Sequence, residues 1–135
     1  MPDVFLDTNV LLRHFLADHT DQSPRSSAFL ARIERGEIRA RIAETVIFEA
    51  VFTLERVYRQ PKDLIREAFI AILDLPGIVL PGKRRFRRCF DIYVEHGVSF
   101  ADAYHATLVE TLGLDSIISF DRGFDRIPTI RRSEP

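Results

Sequence analysis

At 135 residues, 46% hydrophobic and 29% charged, the chain has the length and balance of one packed domain and not of a disordered segment. Its 19 basic residues face 20 acidic ones, and 17 of the 19 are arginine, with only Lys62 and Lys83 as lysines; the guanidinium fork suits phosphate, although codon usage in a GC-rich genome gives the same bias. No uncharged stretch exceeds the eight positions from Leu75 to Gly82, where a membrane-spanning helix needs about 20 apolar residues. The opening residues carry no basic region or cleavage site, and a lone Cys89 excludes an internal disulfide and a cysteine-based zinc site. We expect a single cytoplasmic domain over residues 1–135.

Val4-Phe5-Leu6 reads as a short strand that ends in the turn-forming Asp7-Thr8-Asn9. An amphipathic segment, Val10 to Leu16, is followed by the polar stretch Ala17 to Pro24. Ser26 to Arg35 reads as a helix closed by Gly36, and Arg39 to Ala43 alternates like a strand. Thr45 to Tyr58 forms a helix, and Pro61 starts another that runs to about Leu73. Pro76-Gly77 breaks it, Ile78-Val79-Leu80 is a strand, and Pro81-Gly82 breaks again. Lys83 to Glu95 is helical with His96-Gly97 as its stop. Ser99 opens a helix to Leu112, Gly113 ends it, and Ser116 to Ser119 is an apolar strand. Thr129-Ile130-Arg131 reads as a last edge strand. Strands alternating with helices describe an α/β fold with a mostly parallel sheet. In such sheets, sites form beyond the carboxyl ends of strands.

Two strands run directly into aspartates at those ends, Asp7 and Asp121. Each alone is also ordinary turn chemistry; two at equivalent strand ends favour a shared site. Asp102 matches a capping pattern after Ser99, yet it shares a helical stripe with Ala106 and Val109 and so points toward something. Glu49 lies on the flank of its helix beside Thr45, Thr53 and Arg56, where a solvated pair with Arg56 is the plain reading; Glu44 and Glu55 compete with it. Carboxylates gathered in one pocket must take up protons or a cation. An all-oxygen donor set implies a hard ion, Mg²⁺ or Mn²⁺, the usual device of phosphodiester hydrolysis.

The segments Phe5 to Leu12, Glu44 to Val51, Phe100 to Ala106 and Ile118 to Phe124 resemble, in order and spacing, the motifs of PIN domains, especially those of VapC-type toxins. The resemblance runs from Val4 to about Arg131. It implies a PIN-like three-layer α/β sandwich with a central, mostly parallel β-sheet flanked by helices, and a metal-dependent ribonuclease. Carried over position by position, Asp7, Glu49, Asp102 and Asp121 match the family's four metal-site acids, and Asp125 a less regular fifth. Thr8 matches a small polar residue that helps to hold the first acid, and Ser119 a hydroxyl that often precedes the fourth. The resemblance also implies an RNA substrate, a VapB-type antitoxin as partner, and a homodimer to which Phe48, Phe52 and Tyr58 would offer apolar surface.

Lys83, Arg84, Arg85, Arg87 and Arg88 put five cations at a helix start, against the helix dipole, which suggests a grip on RNA phosphates; a solvated helix face is the plain alternative. The four histidines show no metal-ligand spacing, and neither a nucleophile elbow nor a glycine-rich phosphate loop occurs. Cys89 is expected to be buried. Two other readings remain at this stage: a catalytically silent PIN module that binds RNA or a protein, and a metal-dependent phosphatase for small phosphoesters.

Overall fold

The computed structural model describes residues 2–135; Met1, with which the expected domain begins, lies outside the described residues. The chain divides into two compact units, Met1–Pro81 and Gly82–Pro135.

The first unit carries the parallel sheet. Strands β1 (Asp3–Phe5), β2 (Arg39–Arg41) and β3 (Ile78–Val79) lie in the order β1-β2-β3, all parallel. The central strand alternates as the sequence predicts, with Ala40 fully buried between exposed Arg39 and Arg41. Helices α1 (Thr8–Leu16), α2 (Gln22–Glu34), α3 (Glu44–Phe52) and α4 (Lys62–Leu73) complete the unit, with α1 packed on α2 and on α3. Leu11, Ile33, Ile47, Val51, Ile65 and Phe69 fill its core, and Phe15 meets Phe69 edge-on at 5.0 Å between centroids.

The strands differ from the sequence reading by one or two residues at their ends, and three helix boundaries in this unit differ for a local reason. Helix α1 starts at Thr8, because Asp7 is itself the N-cap and its side chain accepts from the Thr8 amide. Helix α2 starts at Gln22 and runs through Pro24, which costs nothing in a first turn where N–H groups lack helical partners anyway. Its start is held by His19, whose Nδ1 accepts from the amides of Asp21 and Gln22. The expected helix from Thr45 to Tyr58 is α-helical only to Phe52. It widens into a π-turn over Thr53–Val57, closed by the Tyr58 amide donating to the Thr53 carbonyl, and ends at Arg59 in the left-handed region (φ 53°). Pro61 then restarts the chain as the N-cap of α4.

The second unit pairs α5 (Lys83–Glu95) with α6 (Phe100–Thr111). Between them Phe90 and Tyr93 pack on Phe100 at 4.8 and 5.5 Å, and Phe86 stacks on Tyr104 at 5.4 Å. Cys89 is buried there as expected, its Sγ against the Phe100 carbonyl, and burial pushes its thiol pKa up. Strands β4 (Ile117–Ile118) and β5 (Arg132–Ser133) form a parallel pair, with a 3-10 turn, Arg122–Arg126, between them in sequence. The last strand was expected at Thr129 to Arg131. It lies further on because Ile127 and Ile130 donate to Phe124 and Ile127 carbonyls, keeping that stretch in turns, while the Thr129 hydroxyl donates to Glu110.

Gly77 precedes β3 where no side chain fits: a Cβ there would lie 2.8 Å from Ile33 Cγ2 and 3.2 Å from the carbonyl oxygens of Ile33 and Ile38. Backbone at that distance cannot swing aside. Gly77→Ala is expected to destabilise the protein by about 1–3 kcal/mol, read as a lower urea midpoint with an unchanged slope.

Candidate active site

In the first unit the site begins where β1 ends. Asp7, exposed, has an extended backbone (φ −89°, ψ 163°) and caps α1, its Oδ1 accepting from the Thr8 amide at 2.8 Å. That bond fixes one carboxylate oxygen at the helix N-terminus, where the backbone favours negative charge. Thr8 is 3% exposed, and its hydroxyl donates to Glu49 Oε2 at 3.1 Å. Among the competing glutamates it is therefore Glu49, on α3, whose carboxylate reaches the start of α1. Glu44 opens α3 and Glu55 lies in the π-turn, each five or six residues from Glu49 and so well round the helix from it. A groove of about 590 Å³ runs past Asp7, lined among others by Phe5, Asn9, Val10, Arg13, Arg25 and Phe29.

In the second unit Asp102 and Asp121 are brought together. Ser99 caps α6, its hydroxyl accepting from the Asp102 amide at 3.1 Å. Asp121 caps the 3-10 turn, its Oδ1 accepting from the Gly123 amide at 2.8 Å, while its own amide donates to the Ser119 hydroxyl at 3.0 Å. Gly123 lies against both acids: a Cβ there would stand 3.1 Å from Asp121 Oδ1 and 3.6 Å from Asp102 Oδ2. Burial pushes the pKa of half-buried Asp102 up, and the adjacent Asp121 carboxylate pushes it further; the Ser99 hydrogen bond and His105 oppose this more weakly.

This acid pair fits a divalent cation. Two carboxylates this close must share a proton or a positive ion, both offer hard oxygen donors, and the missing side chain of Gly123 leaves their face uncovered. Among the described residues no group of three or more Asp, Glu, His or Cys stands close enough together to cage an ion.

The remaining candidates are placed differently. Asp125 faces Arg132, which donates from Nε to Oδ1 at 2.9 Å and from Nη2 to Oδ2 at 3.2 Å; that hydrogen bond holds the Asp125 carboxyl below its ordinary pKa. The basic run does not form one stripe. Arg88 makes a bidentate pair with Glu110, both contacts at 3.0 Å. Arg85 lies over the Tyr104 ring at 5.9 Å and folds back against Gly82. Arg84 and Arg87 are exposed, and Lys83 is half-buried. Gly123 and Arg132 escaped the sequence reading. The glycine two residues past a strand-end aspartate was a visible signal, whereas the Arg132 contacts depend on the pairing of β4 with β5.

With the geometry in place, comparison with known proteins defines the class. The chain matches the PIN domain over residues 4–130, and it belongs to that family. It is also similar to a VapC ribonuclease of Aquifex aeolicus (strain VF5), 25% identical over 122 residues, which is 90% of this chain and 90% of that protein.

The raised pKa of Asp102 has a consequence for stability. Its folded value lies above its unfolded one, so the carboxyl's contribution is full at acid pH and is lost as pH rises through the folded pKa. In metal-free buffer, Asp102→Asn should therefore melt above the wild type at neutral pH. The difference should vanish below the ordinary carboxylate range, as thermal melts at the two pH values would show.

Proposed function

We propose that this PIN domain is a VapC-type endoribonuclease, the toxin of a toxin–antitoxin pair, hydrolysing RNA phosphodiesters with a carboxylate-held Mg²⁺ or Mn²⁺. The observation that carries this reading is the pairing of half-buried Asp102 with exposed Asp121 over Gly123, two carboxylates that need a proton or a counter-charge between them. Similarity along 90% of the chain to a protein named a VapC ribonuclease supports it.

Asp102 and Asp121 would hold the ion, and Asp7 and Glu49, the two further acids that the family resemblance adds, would supply another ligand or orient the attacking water. When bound, the ion supplies a more acidic water and neutralises charge developing on the phosphoryl oxygens. Glu49 Oε2 is occupied by the Thr8 hydroxyl, which leaves Oε1 to accept a water proton. The groove beside Asp7 gives room for a nucleotide flanking the scissile phosphate. Water attacks phosphorus, the P–O bond to the leaving nucleotide breaks, and no covalent intermediate on the protein is required.

The partners follow from the same reading. Phe52, Val57 and Tyr58, exposed on α3 and its π-turn, fit a homodimer contact, and a VapB-type antitoxin would silence the acids. Among the described residues no helix is long and apolar enough to cross a membrane, and the expected place of action is the cytoplasm, where RNA is met. Exposed Arg84 and Arg87 remain the members of the basic run best placed to meet RNA phosphate.

The test is cleavage of total cellular RNA by the purified protein with Mg²⁺, with Mn²⁺ and with chelator. The wild type should give discrete fragments that chelator abolishes. Asp7→Asn and Asp102→Asn should each lose about a thousandfold or more in rate, the equivalent of several kcal/mol of metal-borne stabilisation. A folded, antitoxin-free protein that binds RNA without cutting it under either metal would replace this reading with the silent binding module. Turnover of a generic phosphomonoester would replace it with the phosphatase.

A further inference from the structure

The side chain of Arg132, in β5, is only 12% exposed, although arginine is usually left in water. All of its edges are occupied. Nε and Nη2 grip both oxygens of Asp125, and Nη1 donates to the backbone carbonyl of Ser119 at 3.0 Å; Glu134 lies 3.8 Å from Nη1. Ser119 and Asp125 are the two ends of the turn that carries Asp121. Between those ends, the Asp121 amide donates to the Ser119 hydroxyl and the Gly123 amide donates to Asp121 Oδ1, while Phe124 is buried beneath. On the far side of Ser119, its amide donates to the Ser133 carbonyl at 2.9 Å. The turn is thus tied at both ends by one side chain and at its start by the adjoining strand.

We propose that Arg132 is a positioning residue that clamps the two ends of the 119–125 turn, with Asp125 as its anchor and not as a metal ligand, and so fixes the Asp121 carboxylate beside Asp102. The planar fork is suited to this task. It holds a carboxylate and a carbonyl at a set separation through three directional bonds, which a lysine ammonium cannot reproduce. The same geometry speaks against Asp125 as a ligand. A cation there would have to displace two N–H bonds and sit against a positive guanidinium. The structural part of the proposal stands on hydrogen bonds alone; its consequence for metal binding rests on the reading of Asp121 under Proposed function.

Arg132→Met, Arg132→Lys, Asp125→Asn and the Asp125→Asn/Arg132→Met double variant separate these roles. All are compared at a temperature where circular dichroism shows each one folded. Amide exchange by NMR reads the turn directly: in Arg132→Met the Asp121 and Gly123 amides should exchange about tenfold faster or more, as for a local opening, with α5 and α6 amides unchanged. Mn²⁺ affinity, from the electron paramagnetic resonance of free Mn²⁺, should weaken about tenfold or more in both Arg132→Met and Asp125→Asn, as for loss of a group that orients a ligand. The double variant should be no worse than the weaker single one, and Arg132→Lys should fall between Met and wild type. Unchanged exchange in Arg132→Met would overturn the clamp. Mn²⁺ binding that tightens in Arg132→Met but weakens in Asp125→Asn would make Asp125 a ligand held in reserve. If the wild type binds no Mn²⁺, the metal reading fails, and the exchange rates still decide the clamp.

Discussion

The constraint on which this protein turns is that a carboxylate held against the fold needs a group that favours its negative charge. The chain meets it first with backbone. Asp7 caps α1, Asp102 lies in the first turn of α6, and Asp121 caps the 3-10 turn. Each acid therefore stands where unpaired helix-start N–H groups favour an anion. Turn chemistry and site chemistry are here the same bonds. The amides of Thr8 and Gly123 each take one carboxylate oxygen, fixing the rotamer and leaving the other oxygen for a ligand.

The arginines show the complementary arrangement. Asp3, Glu37, Glu110 and Asp125 each receive guanidinium hydrogen bonds that hold their carboxyls below the ordinary range, and Asp18 and Asp21 pair with Arg13 and Arg25. Exposed pairs of this kind contribute little to stability individually. Their effect is to neutralise acids that serve the fold. Among the described residues none of Asp7, Glu49, Asp102 and Asp121 makes a direct ion pair with an arginine or lysine, although Arg132 acts on Asp121 through space, and Asp102 shifts in the opposite direction. Asp125 falls with the structural acids by this criterion, although its sequence position places it beside the fourth candidate.

The order of elements was legible because caps and breakers are local. Ser99, Gly36, Pro61 and Gly82 act within a turn of where they stand, and the strand-end aspartates follow short apolar runs. The features that sequence left open are those decided by contacts across elements. Periodicity puts Glu49 on a helix flank, and only the Thr8 hydroxyl, 41 positions away, separates it from Glu44 and Glu55. The basic run reads as one patch along the chain, but Glu110 and Tyr104 on α6 draw Arg88 and Arg85 out of it. The π-turn after Phe52 leaves no mark in a hydrophobic pattern that continues to Tyr58. His19 as a helix cap was equally hidden, since its ring nitrogen does the work expected of serine or aspartate.

Thr8 shows why the supporting groups around the acids are neutral. A lysine or arginine between Asp7 and Glu49 would hold them more strongly, since charge-assisted bonds are roughly twice as strong as neutral ones. It would also cancel their charge and occupy several lone pairs. A buried threonine donates one hydrogen bond from its hydroxyl and one from its amide, enough to orient both acids while their charge stays uncompensated. The Ser99 and Ser119 hydroxyls, also neutral, instead accept from the backbone amides of Asp102 and Asp121, and Gly123 goes further by presenting no side chain. Positive groups are kept one step back, where Arg132 grips the turn and not the acid. Acids held this way are oriented by amide and hydroxyl bonds alone, with no cation pairing drawn on to place them.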